Sequence, residues 1–131
     1  MDPQQELFSA LRKVLVEEFG EGNIYDSVMP PENTPYPFVY LADAIQTDMD
    51  LKGAVIGEVS ITVHVWHDDP KARGTVSDMM LRIKRRARTI EKTKDRAWMI
   101  RNNLTSQRII ADTTTKAPLL HGIVSLNYYF S

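Results

Sequence analysis

Between Val55 and Trp66, apolar and polar side chains alternate. Val55, Val59, Ile61, Val63 and Val65 fall on one side, and Glu58, Ser60, Thr62, His64 and Trp66 on the other. A period of two sends these sets to opposite faces of an extended chain. The segment predicts a long half-buried strand, with Gly57 as a candidate bulge. Such a strand needs paired neighbours and a layer over its apolar face. Two helical patterns can supply the layer. Asp2 and Pro3 form an N-cap and first helical residue, with Gln5 at the capping-box position. Leu7, Leu11, Val14 and Leu15 follow at helical spacing, predicting a helix over 3–19 that stops at Gly20 and Gly22. The long strand runs directly into Asp68-Asp69-Pro70, with Asp69 as N-cap. The stripe Val76, Met80, Ile83, Ala87 and Ile90 predicts a second helix from Pro70 to about Lys92. That helix would be about 34 Å long at 1.5 Å per residue.

The other segments are shorter. Residues 24–28 form a strand candidate. Four prolines between Met29 and Pro37 withhold ladder hydrogen bonds and predict a rigid extended loop. Phe38 to Ile45 is apolar on both of its alternating faces, which predicts a central or doubly covered strand. The polar stretch 46–54, with Asp48, Asp50, Lys52 and Gly53, is expected to be a mobile loop or hairpin tip. Trp98-Met99-Ile100 is a short strand candidate. Segments 106–114 and 120–130 predict a closing antiparallel hairpin. The order α-β-β-β-α-β-β describes an α+β domain over 1–131: two helices on a mainly antiparallel sheet of four to five strands.

The chain carries little that performs chemistry. Among 131 residues there is no cysteine, which excludes disulfides, thiolate metal sites and thiol nucleophiles. No apolar run approaches the roughly 18 residues of a membrane helix, and residues 1–13 lack the pattern of a secretory signal. His64 and His67 lie three apart in extended sequence and are expected on opposite faces. His67 with Asp68 and Asp69 reads more readily as a strand end and helix cap than as a metal site. Phosphate-binding glycine loops, the GxSxG elbow and HExxH are absent. No enzyme activity, cofactor or metal is expected.

Charge is where the chain departs from the ordinary. Its net charge of −1 hides a split: residues 1–58 carry eleven acidic and three basic side chains, or −8, and residues 59–131 carry six and thirteen, or +7. Such polarity suits nucleic acid at one end, head-to-tail association of copies, or cancellation within one subunit. Glu17 and Glu18 end the first helix, where its dipole disfavours them. A basic partner is therefore expected nearby, and a neighbouring subunit's Arg85, Arg86 or Arg88 is the candidate. The run containing Arg82, Lys84, Arg85, Arg86 and Arg88 could equally lie along phosphates.

The order of pieces resembles a known family. A first amphipathic helix leads to "IYDSV" and a proline loop, and "TPYPFVYLADA" enters a strand. "GEVSITVHVWHDD" runs into the second helix, and "LLHGIVSLNYYFS" closes the chain. This is similar to the tail-completion proteins of long-tailed bacteriophages, the tail terminators or tail-to-head joining proteins. The resemblance implies a structural virion protein, present in the host cytoplasm during assembly. It would form a ring, usually a hexamer, at the head-proximal end of the tail tube. Its implied partners are its own copies, the tail tube protein, the head connector and double-stranded DNA passing through the lumen, with no membrane. Subunit or tube contacts are expected at Glu17, Glu18, Asp48, Asp50, Lys52, Arg82, Arg85, Arg86 and Arg88. Tyr25, Tyr36 and Tyr129 are candidate interface anchors. The alternatives are a small nucleic-acid-binding protein using helix 70–92, or another phage neck component.

Overall fold

The computed structural model describes residues 1–131, with Asp50 described through its backbone alone. The elements are α1 (Pro3–Phe19), β1 (Ile24–Asp26), β2 (Phe38–Leu51), β3 (Ala54–His67), α2 (Arg73–Ala87), β4 (Trp98–Ile100), β5 (Ser106–Asp112) and β6 (Leu119–Phe130). The α+β class and helix–strand order agree with expectation, but the sheet is larger and mixed. Six strands run β1-β2-β3-β6, with β4 and β5 both pairing β6. β1 lies parallel to β2, because the proline loop carries the chain back to the same end before β2 begins. The other pairings are antiparallel.

The centre is the β3–β6 ladder, unbroken from Gly57↔Phe130 to His67↔Leu120. On one face, Val59, Ile61, Val63 and Val65 meet Val124, Leu126, Tyr128 and Phe130, all fully buried. Leu7, Leu11 and Leu15 of α1, and Val76, Met80, Ile83 and Ala87 of α2, cover them. Gly122 lets α2 approach: a Cβ there would stand 2.7 Å from Val76 Cγ1 and 3.0 Å from Met80 Sδ. Tyr128 donates its hydroxyl to the Ala87 carbonyl at 2.6 Å, tying β6 to the last turn of α2.

Several expectations need correction. Gly57 is in regular register with both neighbours, and a Cβ there would press on the Thr47 carbonyl oxygen at 2.4 Å. The irregularity lies in β2 instead, between Leu41 and Ala44. Before it, Val39 and Leu41 oppose Val65 and Val63 on the helix-covered face. After it, Ala44 and Gln46 oppose Ile61 and Val59 there. The change of parity makes both faces of β2 read as apolar, although the helices cover only one.

Residues 46–51 are strand rather than loop, and the connection shrinks to a turn at Lys52-Gly53. Helix α2 starts at Arg73, three residues later than predicted, and its N-cap position Ala72 offers no side-chain bond. Asp69 instead closes a separate turn, accepting from the Lys71 N–H at 2.9 Å. At the other end Thr89 donates its hydroxyl to the Arg86 carbonyl, and the chain leaves to pair Lys92 with Ala97. The helix is therefore about 22 Å long. In α1, Asp2 caps the Gln4 N–H at 3.1 Å, but Gln5 bonds Ser9 and closes no capping box.

Ile83 is fully buried under α2, whereas Leu81 on the same helix is 37% exposed. Ile83→Ala should cost about 2–5 kcal/mol in urea unfolding, and Leu81→Ala less than about 1 kcal/mol. Equal losses at the two positions would contradict this packing.

Candidate functional site

The candidate residues fall on three surfaces: the seam between the two helices, the sheet face that they leave uncovered, and the β2–β3 hairpin end. The seam begins with the acids at the end of α1. Arg82 Nε donates to Glu18 Oε1 at 2.8 Å, and Arg82 Nη2 to the Glu18 carbonyl at 3.1 Å. The Arg82 guanidinium also lies 4.5 Å from the centroid of the Phe19 ring. Arg86 pairs with Glu17. The hydrogen bond from Arg82, with the nearby charges of Arg86 and Arg85, holds the Glu18 carboxyl below its ordinary value.

The expectation that Glu17 and Glu18 await a neighbouring subunit's arginine is thus corrected. Their own α2 supplies the partners, because the two helices pack side by side. Arg85 and Arg88 remain exposed on the outer side of α2, without an acidic partner among the described residues.

Sequence reasoning missed the other end of this seam. Glu6 in the first turn of α1 is only 7% exposed. It accepts from the Thr93 hydroxyl, from the Asp95 N–H at 3.0 Å and from Arg96. Burial would raise its pKa, but these three donors outweigh that and hold it low. Glu6–Arg96, Glu17–Arg86, Glu18–Arg82 and Glu58–Arg101 each join the acidic first part of the chain to the basic second part. Much of the sequence polarity therefore cancels inside one subunit.

The uncovered face carries the alternate residues of the sheet. Arg101 bridges Glu58 and Asn127 Oδ1, and Asn127 Nδ2 donates to Ser60 Oγ at 2.8 Å. Farther along, His64 Nδ1 and His121 Nε2 stand 2.6 Å apart, and the Trp66 ring stacks on His121 at 3.8 Å. As expected, His64 is on this face while His67 is not. His67 Nδ1 accepts from the Asp69 N–H at 3.1 Å, which makes it part of a turn. Among the described residues no three His, Asp or Glu side chains gather around a possible metal position.

The hairpin end presents Ile45, Leu51 and Val55, which are 66%, 57% and 69% exposed. Asp48 accepts from Gln46 Nε2 at 2.8 Å, and Lys52 occupies the exposed turn. The side chain of Asp50 lies outside the described residues. Of the tyrosines, Tyr25 and Tyr36 pack on Phe38, with ring centroids 5.5 and 5.2 Å away, and Tyr129 is half-buried on the uncovered face. The structure brings Glu17, Glu18, Arg82 and Arg86 together. It leaves Asp48 and Lys52 at the far end of the hairpin and Arg85 and Arg88 on the outside of α2.

No protein-family model and no curated protein matches the chain. A solved structure similar to it is a chain from the virion of a native gene transfer agent particle. The TM-score is 0.59 with 15% sequence identity, over 98% of this chain and 93% of that one. At this identity the likeness establishes a common fold.

The histidine pair generates a pH prediction. Burial, the facing His64 and Arg108 lower the His121 pKa from 6.5 to about 4, against the opposing charge of Asp112. Burial also lowers His64, opposed by Asp43. Both groups are therefore neutral in the fold at pH 7. The unfolded chain takes up protons first, so this contribution is complete above pH 6.5 and is lost progressively as pH falls towards 4. Thermal melts should show a steeper loss over that window for the native chain than for His121→Gln. Parallel slopes would contradict the pairing.

Proposed function

We propose that this chain is a structural virion protein that closes the head-proximal end of a phage-type tail. As a tail terminator or tail-to-head joining subunit, it forms a ring, most simply a hexamer, on the last layer of tail tube. It halts tube polymerisation there and offers a docking face to the head connector, while double-stranded DNA passes through the lumen. The reading is carried by the near end-to-end fold match to a gene transfer agent virion chain. The order of helices, proline loop, long hairpin and closing strands, similar to tail-completion proteins, supports it independently of that match. No catalytic step belongs to this role. Its surfaces act by fit and charge.

The internal ion pairs bear on how the ring is held. With Glu17, Glu18, Arg82 and Arg86 engaged within one subunit, the seam is a folding device, and assembly rests on other surfaces. A second reading, nucleic-acid binding by α2, draws on the exposed Arg85 and Arg88, which have no acidic partner among the described residues. The two readings part on one experiment. Particles made without this chain should carry tails of irregular, extended length that fail to join heads. Complementation with Arg85→Glu/Arg88→Glu should restore tails of normal length. Normal, head-joined tails in the absence of the chain would sink the terminator reading. Capped tails with lost DNA retention in the double variant would instead assign α2 to DNA.

A further inference from the structure

The hairpin end is built like an unfinished sheet. β1 pairs β2 only at Val39–Leu41, so from Ile45 to Leu51 the outer edge of β2 carries no backbone partner among the described residues. Edge strands in monomeric proteins are normally short, interrupted or shielded by charge. This one runs for seven residues past its bulge. By register, Ile45, Met49 and Leu51 share the uncovered face with Ser60, Ile56 and Ala54, and they are 66%, 39% and 57% exposed.

A second unpaired edge lies across the sheet. β5 also has seven residues, and its backbone bonds are made to β6 alone. Ile110 of β5 pairs with His121, so it lies on the uncovered face too, and it is 40% exposed. The two edges match in length, and each presents exposed apolar side chain on the uncovered face, Ile110 on β5 and the strip Ile45, Met49 and Leu51 on β2. Their directions also match: counting through the antiparallel pairs β2–β3, β3–β6 and β6–β5, β2 and β5 run opposite ways. Charge is complementary as well. Asp43 and Asp48 are exposed along β2, while Arg108 and Lys116 are exposed on and beside β5.

We propose that the outer edge of β2, residues 45–51, pairs antiparallel with the β5 edge of a second copy of this chain, continuing one sheet from subunit to subunit. The contact uses two different patches, so each pairing leaves one β2 edge and one β5 edge free. Such heterologous contacts end only when a ring closes. The backbone ladder supplies the binding, as in other strand additions, and Ile45, Met49 and Ile110 form its apolar strip. Asp48 and Lys52, expected from the sequence at an interface, lie in or next to this segment. The inference names the contact that would build the ring read above, and it rests on that reading for its biological setting.

The chain has no cysteine, which permits a clean cross-linking test. Cysteine would be placed at Ile45, Thr47 or Met49 in turn, each combined with Ile110→Cys, and the concentrated protein oxidised. At least one double variant should give a ladder of covalent multimers, while every single-cysteine variant stays unlinked. In sedimentation, Ile45→Lys/Met49→Lys should weaken self-association at least about tenfold, with an unchanged circular dichroism spectrum. Efficient dimers from Met49→Cys alone would mean that hairpins meet each other, and would overturn the proposal. So would the absence of linked species from all three double variants, or a native chain that is monomeric at every concentration. Tail length measured with the same variants separates the two ideas. Double-cysteine variants that cap tails without forming ladders remove the edge pairing alone. Ladders without any effect on tails remove the terminator reading alone.

Discussion

Everything in this subunit depends on the β3–β6 ladder being covered on one side only. Eleven consecutive residue pairs hold these strands in one register. That register sends Val59, Ile61, Val63 and Val65 under the helices together with Val124, Leu126, Tyr128 and Phe130. A slip by one residue would exchange these side chains for Ser60, Thr62 and His64, so the register is strongly specified. Gly122 then admits α2 to within contact of β6, and the Tyr128 hydroxyl fixes the end of that helix. Because both helices serve the same face, the opposite face and the strand edges at either side are left for other contacts.

The charge pattern takes on a different meaning once the helices are in place. A chain split into −8 and +7 invites the idea that copies attract each other head to tail. In the fold, four ion pairs join the two parts internally, and the buried carboxylate of Glu6 is satisfied by three donors. Exposed pairs of this kind contribute about 0–1 kcal/mol each, whereas breaking a buried one costs more. Glu6 with Arg96 therefore anchors the start of α1 more firmly than the wetter Glu17–Arg86 pair anchors its end. The contact proposed between copies accordingly lies at the sheet edges, where backbone bonding and apolar strips would outweigh charge, rather than at the helix seam.

Much of this was legible in the sequence. The alternation in β3, the stripe of α2 and the proline loop follow directly from periodicity and backbone chemistry. The misses share a cause: each depends on a neighbour that the local pattern does not reveal. Gln46, Asp48 and Asp50 make 46–51 look like a loop, yet each residue there pairs with one in β3, from Gln46↔Val59 to Leu51↔Ala54. The bulge between Leu41 and Ala44 exchanges the faces of β2, so its apolar pattern suggests covering on both sides. Asp69-Pro70 has the signature of a helix start, but forms a turn of its own before Arg73. Glu6 and Asn127, the two buried polar or charged side chains among the described residues, lie in otherwise ordinary helical and strand sequence. Their partners Thr93, Arg96, Ser60 and Arg101 come from distant parts of the chain.

The central claim is that the subunit is complete in its helix-covered core and incomplete along its two outer sheet edges. Amide hydrogen exchange of the free chain and of the chain in assembled tails tests it most directly. Residues 59–65 and 122–128 should exchange slowly in both states, because the ladder and the helices above it belong to the subunit alone. The outward-pointing amides of 45–51 and 106–112 should be fast in the free chain and slow in the assembled one. Edges equally fast in both states, with new protection confined to α2, would contradict the account.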